Sequence, residues 1–123
     1  MTYRLEFTLF GLPKMTNPSG AKSTHWRVVK AERDKWIKTT MLSTLPKRPI
    51  APLQKAKLTL TRHSSVSPDA DGLVSGFKAI VDGLVRAGIL ANDRFENIGM
   101  PDYRWERTPP KQGRVTVIVE EVA

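Results

Sequence analysis

KAKLTLTRHSSVSPDADGLVSGFKAIVDGLVRAG, residues 55–88, changes its hydrophobic period once along its length. In its first part Ala56, Leu58 and Leu60 alternate with Lys57, Thr59 and Thr61, the period of two that makes a strand with one buried face, here over Lys55 to His63. A polar loop, SSVSPDADG, comes next. Leu73, Phe77, Ile80, Val81 and Leu84 then recur at helical spacing, which predicts the central helix of the core from Gly72 to Arg86, ending on Ala87-Gly88.

Upstream, Tyr3 to Phe10 alternates in the same way and predicts a strand that stops at Gly11 and Pro13. GLPKMTNPSGAKS, with Asn17 in its middle, reads as a loop, and Ser23 or Thr24 can cap a helix at its end. Trp26, Val29, Arg33, Trp36, Ile37, Thr40 and Met41 form the apolar side of that amphipathic helix, whose other side is basic, and Pro46 and Pro49 end it. Downstream, Ile98 to Trp105 and Arg114 to Val122 read as strands joined through the turn-rich segment Thr108 to Gly113, a terminal hairpin. The order is β-α-β-α-β-β. It predicts a single small α+β domain over residues 1–123, with one mixed sheet and two helices packed on it.

Twenty Lys and Arg against twelve Asp and Glu leave a net charge of +8, and the sequence pI near 10.1 points to a polyanionic partner. The excess is concentrated: Lys22, Arg27, Lys30, Arg33, Lys35, Lys38, Lys47 and Arg48 face only Glu32 and Asp34 in that interval. A set of solvated surface charges is the plain alternative. The absence of cysteine excludes thiolate catalysis, Cys-ligated zinc and iron–sulfur clusters. No apolar run approaches a membrane span and the N-terminus lacks a signal-peptide layout, so a cytoplasmic location without membrane association is expected.

Carboxylates are the catalytic material that invites the closest reading. Asp69 and Asp71 flank Ala70 where the loop meets the central helix, and Asp93 lies just past that helix. In an extended stretch Asp69 and Asp71 point the same way, and two such charges call for a cation between them. Hard oxygen ligands suit Mg²⁺, with Mn²⁺ able to replace it. That is the requirement of phosphodiester hydrolysis, in which a metal-activated water attacks phosphorus. Lys78, two helical turns past Asp71, can approach the acids and steady developing negative charge. Each residue also has a plain structural reading. Asp71 can cap a helix beginning at Gly72, Asp69 after Pro68 is ordinary turn chemistry, and Asp93 after Asn92 is a loop pair. Lys78 and Asp82 can form an i,i+4 surface pair. His25 and His63 stand singly, as hydrogen-bonded rather than catalytic residues, and the tryptophans read as core or half-buried anchors except Trp26, which suits base stacking.

Asp69-Ala-Asp71-Gly-Leu73, then Lys78, Asp82-Gly83-Leu84, Ala87-Gly88-Ile89 and Asn92-Asp93 resemble the pattern of the RusA family of Holliday junction resolvases, where D-x-D-N-L leads to a lysine, D-[AG]-L, A-G and a closing D-D. The first β-strand, the Gly11, Pro13 and Asn17 loop, the basic helix and the closing basic hairpin agree in kind. Gly72 stands where the family usually has asparagine, and Asn92 replaces the first acid of the closing pair. The resemblance implies a homodimeric, Mg²⁺-dependent crossover junction endodeoxyribonuclease that binds four-way DNA and makes paired symmetric nicks in recombination and repair, a type often carried by phages and prophages. It assigns Asp69, Asp71 and Asp93 as catalytic metal ligands and Lys78 as the catalytic lysine. Asn17, Lys22, Arg27, Lys30, Arg33 and Lys38 are then expected to contact DNA. Two equivalent cuts in a near-twofold junction also suit a twofold dimer. A branched-DNA-binding module without cleavage, a less selective flap or branched-DNA nuclease, and a basic adaptor acting through protein contacts are the alternatives.

Overall fold

The computed structural model describes residues 2–14 and 26–122. Asn17, Lys22, His25 and the caps expected at Ser23 or Thr24 lie outside the described residues. The elements are β1 (Arg4–Phe10), α1 (Trp26–Thr44) continued by a 3₁₀ turn at Leu45–Lys47, β2 (Ala56–Ser64), α2 (Ala70–Gly76), α3 (Lys78–Arg86), the single turn α4 (Phe95–Ile98), β3 (Asp102–Arg107) and β4 (Arg114–Glu121). The main order is β-α-β-α-β-β, and among the described residues the four strands make one mixed sheet.

The sheet order is β1-β4-β2-β3, so the expected terminal hairpin does not form. β4 pairs antiparallel with both β1 and β2, while β3 pairs parallel with β2. The physical reason lies in the two sequences. Val115, Val117 and Val119 are fully buried and need a neighbour on each side, whereas β3, DYRWER, is charged and takes an edge. Parallel pairing of β2 with β3 requires a long crossover, and α2, α3 and α4 supply it. Ile98, read as the start of a strand, instead closes α4, and β3 begins at Asp102.

One face of the sheet is apolar in register: Leu5, Val119 and Leu58 form one row, and Phe7, Val117 and Leu60 the next. The helices cover it. α1 and α3 approach so closely that a Cβ on Gly83 would lie 2.8 Å from Thr40 Cβ and 3.1 Å from the Ile37 carbonyl. Thr40 at this seam and Thr44 one turn further are buried, and each hydroxyl donates to the carbonyl one turn back, so neither is left unpaired.

Two helical expectations need correction. α1 buries only Trp36, Ile37, Thr40 and Thr44, while Trp26 is 64% and Val29 40% exposed. The apolar stripe is thus used only in the C-terminal half of the helix. The helix read as Gly72 to Arg86 is two helices, beginning at Ala70 and broken at Phe77. There the Phe77 N–H donates to Val74 three residues back, and the tightened turn buries the ring against Tyr103, centroids 6.2 Å apart. α3 ends as expected, at Gly88, whose φ of +82° suits a residue without Cβ. Among the described residues no helix is long and apolar enough to cross a membrane.

Candidate active site

Asp69, not Asp71, caps the helix: its backbone is extended and its Oδ1 accepts from the Gly72 N–H at 2.8 Å. Because the helix starts two residues earlier than the hydrophobic stripe suggests, Asp71 falls in its first turn rather than in an extended stretch beside Asp69. Its carboxylate is exposed, next to the positive end of the α2 dipole. Among the described residues it has no hydrogen bond or ion pair.

Lys78 opens α3 and joins two acids. Its Nζ lies 3.1 Å from Asp82 Oδ1, the expected i,i+4 pair, and 3.0 Å from Asp93 Oδ2, fifteen residues away in sequence. Asp82, with only 14% of its side chain exposed, uses its other oxygen to accept from Arg33 Nη2 of α1 at 3.0 Å. Asn92 Oδ1 accepts from the Asp93 N–H, so asparagine retains a loop contact while adding no charge. Lys78, Asp93, Asp82 and Arg33 therefore form one chain of alternating charges across α1, α3 and the loop after α3.

The hydrogen bond from Lys78 holds the Asp93 carboxyl below the ordinary aspartate range, and the hydrogen bond to Asp93 raises Lys78 above the ordinary lysine value. Tyr103, which the sequence did not single out, stands beside this lysine: burial pushes its hydroxyl up and the Lys78 ammonium opposes that. A depressed Asp93 contributes stability above its unfolded pKa, and that contribution is lost as pH falls through the folded value. Lys78, being raised, contributes below its unfolded pKa and loses that contribution only in strong alkali. Both side chains are partly solvated, so the pair is worth no more than about 1 kcal/mol. Asp93→Asn is thus expected to cost up to about 1 kcal/mol at pH 7 and nothing resolvable below about pH 3. Urea midpoints of both proteins measured from pH 2.5 to 7 check this, and a constant difference would contradict it.

The structure brings Lys78 and Asp93 together but does not gather Asp69, Asp71 and Asp93: among the described residues no group of three His, Asp or Glu side chains is placed to hold a metal ion. On α1, Arg27 stacks over Trp26 at 5.4 Å and Lys30 pairs with Asp34 at 2.6 Å. Arg33 is engaged with Asp82, and Lys38 is exposed. His63 is buried and lies 3.0 Å from Thr116 Oγ1 through Nε2 and 3.2 Å from Glu106 Oε2 through Nδ1, a structural position. Trp36 is core and Trp105 donates to Ser64 Oγ at 3.0 Å. The Arg33–Asp82 contact had no local signal, because it depends on how α1 packs on α3. Compared with known protein families and with curated proteins, the chain matches none.

Proposed function

We propose that this protein is a Mg²⁺-dependent endonuclease that nicks branched DNA, with the four-way junction as its substrate and a twofold dimer as its working form. The observation that carries the reading is the Lys78–Asp93 contact at 3.0 Å, which unites two residues that the sequence resemblance had separately named. The donor set fits a hard divalent cation in kind: Asp69 has one oxygen left beyond its cap, Asp71 has a whole carboxylate, and Asp93 shares its own with Lys78. These three side chains would hold Mg²⁺, which supplies Lewis-acid polarisation of a phosphoryl oxygen and a water of lowered pKa.

The protein's own groups do the rest. A phosphoryl oxygen arriving beside α3 accepts from Lys78 in place of Asp93, and this exchange frees the Asp93 carboxylate. Asp82, itself held by Arg33, keeps the lysine aimed throughout. Arg27, Lys30 and Lys38 along α1 hold backbone phosphates, contacts that position without reading sequence. The exposed Trp26 offers a face on which a base unpaired at a branch can stack.

The ungathered carboxylates favour one competing reading, a module that binds branched DNA without cutting it. A labelled four-way junction and a linear duplex of the same arms, each with Mg²⁺ or EDTA, separate the two. Paired symmetric nicks in the junction alone, lost with EDTA, are expected. Equal cutting of the duplex would replace the resolvase by a less selective nuclease, and tight junction binding without nicks in Mg²⁺ or Mn²⁺ would overturn the enzyme.

A further inference from the structure

Among the described residues Arg62 is the one buried arginine or lysine. It lies on the helix-covered face of β2, level with Leu9, Val115 and Trp105 across the sheet, and is 8% exposed. A guanidinium removed from water in this way is normally matched by a carboxylate. All twelve Asp and Glu of the chain are among the described residues, and none forms an ion pair with Arg62. Among the described residues its one side-chain hydrogen bond runs from Nη1 to the Pro13 carbonyl at 2.8 Å. Nε is buried and has no partner there. Burial pulls the group below the usual arginine value, but an arginine keeps its proton.

We infer that Arg62 is an anion site, and that it receives a phosphate on the guanidinium edge formed by Nε and Nη2. Nη1 is spent on the loop backbone, and the opposite edge, with two parallel N–H groups, is the one a phosphate engages in a bidentate manner. An unmatched buried cation and an unpaired buried donor are answered together by one tetrahedral anion, where either alone would call for less. β1, β2 and β3 run in one direction, so Arg62 lies toward the sheet end where β2 exits to Asp69. That the phosphate belongs to a nucleic-acid backbone rests on the function proposed above; that the site takes a phosphate does not.

The test has two arms, both on the intact protein. In the first, the ¹⁵N–¹H signal of Arg62 Nε is followed by NMR during titration with inorganic phosphate and, separately, with a four-way junction in EDTA. In the second, junction affinity is measured against salt for the unchanged protein and for Arg62→Gln, with Arg62→Lys retaining charge but not the fork. The Nε signal is expected to shift and saturate with both anions. Arg62→Gln is expected to bind the junction about tenfold more weakly, with a salt slope smaller by about 0.9, and Arg62→Lys to recover the slope but only part of the affinity. An Nε shift with inorganic phosphate and no junction binding by the unchanged protein would support the anion site and remove the DNA reading. An Nε signal indifferent to both anions overturns the inference, including when Arg62→Gln fails to fold. An unchanged salt slope in a folded Arg62→Gln overturns the nucleic-acid backbone as the source of the phosphate, and the Nε signal with inorganic phosphate then decides the anion site by itself.

Discussion

Asp71→Asn is expected to lower metal-dependent nicking of a four-way junction by about three orders of magnitude, equivalent to about 4 kcal/mol of barrier, and to leave junction binding in EDTA unchanged. The reason is the freedom of its carboxylate. Asp71 is exposed, it stands behind a cap already made by Asp69, and its carboxylate has no hydrogen bond or ion pair among the described residues. Removing its charge therefore costs the fold no more than the ~1 kcal/mol of an exposed carboxylate in a first helical turn. The loss is that of a hard oxygen for the cation. Asp93→Asn differs, because it also breaks the contact with Lys78 and touches stability. Single-turnover nicking rates beside EDTA binding curves measure both effects. Cutting by Asp71→Asn within tenfold of the unchanged protein would remove Asp71 from the metal site.

The second large effect is on the fold. Gly83→Val is expected to destabilise the protein by about 3 kcal/mol, because its Cβ has nowhere to go. That atom would sit 2.8 Å from Thr40 Cβ and 3.1 Å from a backbone oxygen of α1, and neither neighbour is the movable end of a long side chain. Spreading α1 from α3 would also stretch Arg33–Asp82, so the variant should lose the alignment of Lys78 along with stability. A midpoint lower by about 12 °C, at roughly 4 °C per kcal/mol for a domain of this size, is the expected result of a thermal melt. A drop of less than about 3 °C would mean that the helices can part freely at this seam.

The strands and helices left different amounts of trace in the sequence. The alternation in Tyr3 to Phe10 and Lys55 to His63 marks β1 and β2 almost to the residue, because a sheet covered on one side requires period two. The break at Phe77 leaves none, since one tightened turn keeps the apolar residues nearly in phase on both sides. The partner of β4 is hidden for another reason. Neighbouring strands joined by Pro-Pro-Lys-Gln-Gly usually pair, and only the full burial of Val115, Val117 and Val119 reveals that this one lies inside the sheet. At the candidate site, the resemblance names Asp69, Asp71, Asp93 and Lys78 from their order along the chain, and of these the fold joins Lys78 and Asp93 without gathering the three acids. The Arg33–Asp82 link and the place of Tyr103 could not, because both arise where distant elements meet.

The central position of β4 also sets a timetable. Arg4 is registered with Glu120 and Ala56 with Glu121, so neither β1 nor β2 has its antiparallel neighbour until the last strand has been made. Before that point in synthesis the chain can form helices and the β2–β3 pair, but no closed sheet. Contacts this distant in sequence place the domain among the slower folders of its size, with loop closure as the main barrier. A chain stalled before Arg114 would expose the apolar rows of two strands at once, a state that invites capture by a chaperone or by another unfinished copy.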